Sequence, residues 1–188
     1  MTRSLSTSHA EKVFSHVENE ADPSALVSSW RRCLTLHGLD PTSGSQPGRV
    51  EQTRILETQQ RNEAMTRAAD DVIDQLIRSL AGSDYMVFLA DAQGIVLDTR
   101  SKRTGDFWER PRNDWLGTDF SEEGEGTNGV GTVLRDGRPL TVAGDQHFHI
   151  RDVPVACSGA PIWGLDGAIA AASTSPAAPS TPTRSAAR

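Results

Sequence analysis

The stretch YMVFLADAQGIVLDT, from Tyr85 to Thr99, indicates the kind of fold that this chain adopts. Tyr85 to Ala90 is a short apolar run, which is typical of a buried strand. Asp91 to Gly94 has the composition of a turn, and Ile95 to Thr99 has the pattern of a returning strand. Two strands joined by so short a turn form a β-hairpin, so the sequence predicts an antiparallel sheet that starts here.

Further strands and a helix are predicted after the hairpin. Apolar segments at Leu140–Ala143, Val155–Ile162 and Ala168–Ala172 have strand patterns, and Thr127–Arg135 has a helical one. Residues 82–172 therefore form the predicted sheet domain. The fold class that these patterns indicate is α+β, an antiparallel sheet flanked by helices and preceded by an N-terminal helical segment.

Helical patterns precede the hairpin. Residues 1–48 are predicted to be an N-terminal helical segment with two helices, the second of which starts after Asp22 and ends near Gly38. Residues 49–81 are predicted to form one long connecting helix, because apolar residues recur there every three or four positions. This stripe favours packing on the sheet, and pairing with the same helix of a second subunit is the alternative. Its members are Met65, Ala69, Val72, Ile73, Leu76, Ile77 and Leu80.

The composition changes after the last predicted strand. Residues 173–188 contain only Ser, Thr, Pro, Ala and Arg. A segment of this composition has no large apolar side chain to bury in a core. We therefore expect residues 173–188 to form a disordered tail.

Composition and charge exclude several classes of function. The chain has 188 residues and a formal net charge of −6, and its basic residues are scattered. Binding to a phosphate backbone needs clustered Lys and Arg, so nucleic acid is not expected as a direct partner. No apolar run approaches the roughly 20 residues that a membrane span requires, so no membrane association is expected. With two cysteines and no secretion-signal pattern, the chain is predicted to be a reduced, cytoplasmic protein.

The glycine-rich segment GEGTNG, from Gly124 to Gly129, has the glycine spacing of a dinucleotide-binding loop. Glu125 lies inside the segment and further carboxylates precede it, so a phosphate group would be repelled. The glycines instead predict a tight start of a helix, capped by Thr127 or Asn128. Without side chains at these positions, the backbone can approach a neighbouring strand or a ligand closely.

The candidate catalytic and metal-binding residues do not form a complete site. Asp145, His147, His149, Asp152 and Cys157 are possible ligand types, but no second Cys or His cluster completes a metal site. To act as a nucleophile, the cysteine would need a base and an anion-binding site around it. We therefore predict no catalytic residues, no metal and no cofactor.

Several segments of the chain together resemble one protein family. They are SSWRRC (28–33), HGLDP (37–41), LADAQGIVL (89–97), GTNGVGT (126–132), His147-Phe148 and CSGAPI (157–162). In this order and spacing they are similar to the N-terminal sensory region of sigma-54-dependent transcriptional activators of the acetoin-catabolism-regulator type. The resemblance covers about residues 24–172, and GTNGVGT and CSGAPI are its most specific parts.

This resemblance implies a GAF domain, which commonly binds a small molecule between an antiparallel sheet and the loops that cover it. It implies a ligand-sensing module of a transcriptional regulator and not an enzyme. The ATPase and helix-turn-helix domains of the full-length activators are not expected, because the chain has no Walker A motif. The unrelated tail suggests a shifted reading frame or a truncated gene. The alternatives are a non-functional remnant of such a regulator and a GAF-type methionine sulfoxide reductase that uses Cys157.

The predicted ligand is a small organic effector held against the sheet. The predicted protein partner is a second copy of the chain, as a homodimer, or a full-length regulator. Contacts to the effector are expected from the aromatic loop Phe107–Phe120, from the helix start Thr127–Val130 and from His147-Phe148. The predicted ligand-binding residues are Trp108, Trp115, Phe120, Thr127, Asn128, Val130, His147, Phe148 and Cys157.

Overall fold

An antiparallel sheet forms the centre of the fold. The computed structural model describes residues 2–19, 23–80, 85–102, 115–164, 167 and 169–177. The strands within these ranges are β1 (Tyr85–Asp91), β2 (Val96–Lys102), β3 (Leu140–Ala143), β4 (Ala156–Trp163) and β5 (Ile169–Ala177). They lie in the order β2-β1-β5-β4-β3, and each neighbouring pair is antiparallel. The predicted α+β fold and its β1–β2 hairpin are confirmed.

Helices precede the sheet and flank it. Within the described part of the chain they are α1 (Thr2–Glu18), α2 (Ala25–Thr35), α3 (Gln52–Arg61), α4 (Glu63–Ser79), α5 (Glu122–Glu125) and α6 (Gly131–Asp136). Single 3₁₀ turns lie at Gly144–Gln146 and Ile150–Asp152. Among these helices none is both long enough and apolar enough to cross a membrane.

Strand β1 is buried on both of its faces, as its unbroken apolar run predicts. Successive side chains of a strand point to opposite faces of the sheet. Tyr85, Val87 and Leu89 therefore share one face, where they pack against α4. The opposite face carries Met86 and Phe88. The sheet thus separates a helix-covered side from a second side, on which the candidate site lies.

Helix α4 covers one face of the sheet with part of its predicted apolar stripe. The side chains that pack there are Met65, Ala69, Ile73, Ile77 and, just after the helix, Leu80. Val72 and Leu76 point away from this contact, and their side chains are 68% and 36% exposed. The predicted stripe is therefore wider than the real contact, because within α4 only Met65, Ala69, Ile73 and Ile77, spaced four residues apart, pack against the sheet.

The single helix predicted over residues 49–81 is in fact two helices. Helix α3 ends and α4 begins at Asn62, whose φ of −101° and ψ of 10° lie outside the helical range. The Nδ2 atom of Asn62 donates a hydrogen bond to the carbonyl oxygen of Thr58 at 2.8 Å. The backbone N–H of Asn62 bonds to the same carbonyl at 3.1 Å, so this oxygen accepts two hydrogen bonds where the two helices meet.

Both helices predicted within residues 1–48 are present, and they contact each other. Helix α2 begins one residue after Ser24, whose side chain accepts a hydrogen bond from the backbone N–H of Val27 at 3.2 Å. Its Trp30 and Cys33 side chains are fully buried. Beyond its end, Gly38 has a φ of +64°, the left-handed conformation expected after a helix.

The last strand includes residues that the sequence predicts to be part of a disordered tail. Residues 173–177 belong to β5, which pairs with β1 on one side and β4 on the other. A central strand forms backbone hydrogen bonds on both edges, and this pairing outweighs the low strand propensity of Ser, Ala and Pro. Residues 178–188 of the predicted tail lie outside the described residues.

Candidate functional site

A cavity of about 190 Å³ lies on the face of the sheet that carries Phe88. Strands β1 and β4 contribute to its floor, and the segments around the glycine-rich stretch and the 3₁₀ turns cover it. Its lining consists of Gln46, Pro47, Phe88, Trp115, Phe120, Glu125, Asn128, Gly129, Val130, His147, Arg151, Asp152, Val155 and Cys157.

Three aromatic rings form one wall of this cavity. The ring centroid of Phe88 lies 5.3 Å from that of Trp115 and 5.3 Å from that of Phe120. The centroids of Trp115 and Phe120 are 6.2 Å apart. Rings at these separations pack favourably and present a rigid apolar surface to whatever enters the cavity.

The glycine-rich segment is held in place by the side chain of Asn128. Its Oδ1 atom accepts hydrogen bonds from the backbone N–H groups of Val130 and Gly131, at 2.7 and 3.0 Å. Its Nδ2 atom donates to the carbonyl oxygens of Phe120 and Gly126, at 3.0 and 2.9 Å. The helix that follows, α6, starts at Gly131 and its N-cap residue is Val130, so the predicted cap at Thr127 or Asn128 is displaced; Asn128 instead bonds the first N–H groups of α6 from two residues upstream. Because the amide is already bonded at both ends, Asn128 shapes the cavity wall.

The backbone of this segment presses directly on the sheet. A Cβ atom added to Gly159 of β4 would lie 1.8 Å from the carbonyl oxygen of Gly129. A Cβ atom on Gly131 would lie 2.3 Å from the backbone nitrogen of Glu122. No side chain fits at either position, so the predicted close approach of the backbone to a strand is confirmed.

Helix α2 is tied to the same segment by a buried polar network. The Ser29 hydroxyl donates to Oε2 of Glu122 at 2.6 Å and lies 2.7 Å from the Thr127 hydroxyl. The Arg32 guanidinium donates to both carboxylate oxygens of Glu122, at 2.5 and 2.7 Å. Thr127, a predicted ligand contact, is therefore engaged with the N-terminal helices and does not line the cavity.

Phe148, another predicted ligand contact, also points away from the cavity. Its side chain is fully buried in a cluster with Val13, Val27, Trp30 and Cys33 of the N-terminal helices. Because Phe148 follows His147 directly, its side chain could be buried either in the cavity or between α1 and α2. It lies between the two helices, where the apolar cluster is larger. The segment from 147 to 148 therefore joins the cavity to the N-terminal helices.

His147 is a buried polar residue of the cavity lining. Its Nδ1 atom lies 3.0 Å from the carbonyl oxygen of Gly144, and because a carbonyl can only accept, Nδ1 carries the proton. Burial lowers the pKa of His147 to about 4, so the ring is neutral at pH 7. Its Nε2 atom is then an acceptor, and it is buried without a hydrogen-bond partner among the described residues.

Glu125 is a second buried polar group at the cavity, and it is not among the predicted ligand contacts. The side chain is 3% exposed, and its Oε1 atom accepts a hydrogen bond from Arg151. Its Oε2 atom is buried and has no hydrogen-bond partner within the described residues. Burial, together with the neighbouring Asp152 carboxylate, raises the pKa of Glu125 to about 8.

The two cysteines lie in different environments. Cys157 lines the cavity, whereas Cys33 is buried in α2, where its Sγ lies 3.7 Å from the Thr127 hydroxyl. Burial raises the pKa of the Cys33 thiol to about 12. No second thiol therefore faces Cys157 across the cavity. In the described ranges, no group of three or more His, Cys, Asp or Glu side chains is placed to hold a metal ion.

The structure brings six of the nine predicted ligand-binding residues together around the cavity, and their binding role stays a prediction. Thr127 and Phe148 lie outside the cavity, and Trp108 falls outside the described residues. The six are Trp115, Phe120, Asn128, Val130, His147 and Cys157. Cavity residues absent from the prediction include Glu125, Arg151 and Asp152, for which no local sequence pattern marks a shared site.

Comparison with known proteins supports the resemblance seen in the sequence. The model of the MimR N-terminal domain family matches residues 8–166. The acetoin catabolism regulatory protein of Cupriavidus necator is 36% identical over 147 residues, which cover 78% of this chain and 22% of that protein. The propane 2-monooxygenase operon transcriptional activator MimR of Mycolicibacterium smegmatis is 32% identical over 149 residues, covering 78% of this chain and 24% of that protein.

A solved structure shares the fold. In the crystal structure of the E. coli DhaR(N)–DhaL complex, a chain matches with a TM-score of 0.71 and 18% identity, covering 82% of this chain and 52% of that chain. At this identity the similarity shows a common GAF-like fold. Our chain spans less than a quarter of the length of the two relatives above. It belongs to the MimR N-terminal domain family, which comprises regulatory domains of transcriptional activators and not enzymes.

Proposed function

We propose that this domain is the sensory module of a sigma-54-dependent type of transcriptional regulator and that its cavity binds a small organic effector. The observation that carries this proposal is a cavity with an aromatic wall and a buried polar atom, Nε2 of His147, that lacks a partner among the described residues. Buried polar atoms are costly to leave unpaired, so a ligand that pairs with them is favoured.

The names of two relatives are consistent with this class of ligand. One is called a regulator of acetoin catabolism and the other an activator of a propane 2-monooxygenase operon. Both names refer to the metabolism of small organic molecules. We place the proposed sensor in the cytoplasm, where a regulator of transcription meets its target.

The N-terminal helices supply a route from the cavity to the rest of a regulator. His147 lines the cavity, and the adjacent Phe148 is buried between α1 and α2. Trp30 of α2 donates a hydrogen bond to the carbonyl oxygen of Gln146 at 3.0 Å. An effector that binds His147 therefore favours one placement of these helices over another, provided that it binds the two placements with different affinity.

The proposed protein partner is a second copy of the chain, or the same domain of a full-length regulator. Helices α3 and α4 carry large apolar side chains that face away from the sheet, namely Leu56, Val72 and Leu76, of which Leu56 is 58% exposed. Analytical ultracentrifugation tests this association. We expect a dimer that dissociates in a Val72→Glu/Leu76→Glu variant, and a wild-type chain that is strictly monomeric would overturn the proposal.

Thermal-shift screening of small metabolites against the purified domain tests effector binding. We expect stabilisation by at least one compound, because a ligand that binds only the folded state raises its stability. Val155→Phe places a bulky ring in the cavity lining and should abolish the shift. The matched control Val153→Phe, two residues away and outside the lining, should retain it. A shift that survives Val155→Phe would place the effector elsewhere.

A non-functional remnant is the remaining alternative. A remnant that no longer folds would melt over a broad range, whereas a domain that keeps this core unfolds cooperatively. A single sharp unfolding transition in urea, seen equally by fluorescence and circular dichroism, would exclude the unfolded remnant.

A further inference from the structure

The polar end of the cavity combines two carboxyl groups with one guanidinium group. Arg151 donates a hydrogen bond to Glu125, and its Nε atom lies 3.8 Å from Oδ2 of Asp152. The side chains of Glu125, Arg151 and Asp152 are 3%, 14% and 27% exposed. Asp119 also lies close enough to Glu125 to affect its ionisation. This end of the cavity is therefore a small buried charge cluster.

The cluster is electrically balanced only when one carboxyl group holds a proton. One guanidinium cannot neutralise two buried carboxylates, and an uncompensated buried charge is costly. Burial raises the pKa of Asp152, and burial together with Asp152 raises the pKa of Glu125 to about 8. Near pH 7 the pair thus shares one proton, and with Arg151 it has no net charge.

We infer that Glu125, Asp152 and Arg151 select the charge of the effector, admitting an uncharged ligand that donates a hydroxyl hydrogen to Nε2 of His147 and excluding carboxylates of the same size. This inference rests on the proposed sensory function and adds to it the residues that set ligand charge. The neutral cluster supplies polar contacts, and the neutral imidazole supplies an acceptor.

The charge cluster disfavours the binding of both anionic and cationic ligands. A carboxylate would add a third acidic group beside a single arginine in a space that is largely shielded from water. An ammonium ligand would enter beside the permanently charged Arg151 and would require the shared proton to leave. An uncharged hydroxyl compound meets neither cost, and it satisfies the His147 acceptor that otherwise stays unpaired.

Four compounds of similar size test the charge preference of the wild-type domain. Titration by protein-observed NMR at pH 7 compares 2-butanol, 2-butanone, butyrate and sec-butylammonium. We expect 2-butanol to bind at least about tenfold more tightly than either ion. 2-Butanone should bind several-fold more weakly than 2-butanol, because it has no hydrogen to donate to His147.

A double variant tests whether the cluster is responsible. Glu125→Gln/Asp152→Asn keeps the shape of both side chains but removes both carboxylates, so the positive charge of Arg151 is no longer neutralised by either residue. We expect the affinity for butyrate to rise at least about tenfold, while that for 2-butanol changes less than about threefold. The control Glu123→Gln/Asp71→Asn removes two exposed acidic groups outside the cavity lining, and should leave both affinities unchanged.

If the double variant does not fold, the pH dependence of the wild-type domain gives the same test. Raising the pH from 7 to 9 removes the shared proton, so binding of butyrate should weaken relative to that of 2-butanol. A constant ratio would contradict the inference.

The possible failures are distinguishable. Equal binding of 2-butanol and butyrate by the wild-type domain, or no gain for butyrate in a folded double variant, would overturn the charge selection and leave the sensory proposal intact. Binding of none of the four compounds at millimolar concentration would overturn the cavity as an effector site, and the inference with it.

Discussion

Glu122 is the residue through which α2 holds the glycine-rich segment. Its carboxylate is 5% exposed and accepts hydrogen bonds from the Ser29 hydroxyl and from Nε and Nη2 of Arg32. Removing one partner of a buried ion pair leaves the other uncompensated, so Glu122→Ala should cost about 3 kcal/mol of unfolding free energy. Urea denaturation checks this, with the exposed neighbour Glu123→Ala as control. Equal effects of the two substitutions would contradict the network.

His147 makes the stability of the domain depend on pH. Its pKa is about 4 in the folded state and about 6.5 when unfolded, so only the unfolded state takes up a proton as the pH falls between these values. The associated stability is complete above pH 6.5 and is lost as the pH falls through about 4. His147→Gln should therefore reduce the loss of unfolding free energy between pH 7 and pH 5 by about 2 kcal/mol.

Urea titrations at both pH values measure this difference. The variant His16→Gln, which also replaces a histidine but at an exposed position, serves as control. An unchanged pH dependence in His147→Gln would mean that its ring is not shielded from water.

At the scale of secondary-structure elements, the orientation of α4 can be tested with two adjacent residues. Ile73 is 5% exposed and packs on β1, whereas Val72 is 68% exposed. Ile73→Ala should lower the unfolding free energy by about 2–4 kcal/mol, because it leaves a cavity against the sheet. Val72→Ala should change it little. Chemical denaturation of both variants decides the point, and a larger effect at Val72 would mean that the helix is rotated.

Most elements could be predicted from the sequence, and the exceptions have local causes. The hairpin follows from an apolar run and a turn, and these signals lie within neighbouring residues. The interruption at Asn62 coincides with a side-chain bond to Thr58 that helical periodicity does not reveal. The extension of β5 to Ala177 depends on pairing with two strands, which overrides the composition of the segment.

For the whole molecule, the N-terminal helices and the sheet are expected to unfold as one unit. Trp30 is fully buried in the same apolar cluster as Phe148, and its Nε1 atom donates a hydrogen bond to the carbonyl oxygen of Gln146. Trp30→Ala should lower the unfolding free energy by about 3–5 kcal/mol in a single transition and accelerate amide hydrogen exchange in β1 as well. Phe14→Ala, at a 45% exposed position of α1, is the control. Two separate transitions would show that the helical segment is independent.

The sequence alone determined the sheet, the helices before it and the close approach of the glycine-rich segment, because strand alternation, helix caps and missing side chains act over a few residues. Only the tertiary structure decided which polar groups meet at the cavity. Glu125 and Asp152 are far apart in the chain and have no pattern in common, yet folding places both beside Arg151. Folding also buries the Phe148 side chain between α1 and α2. The apolar cluster there is formed by residues more than 100 positions away in the sequence.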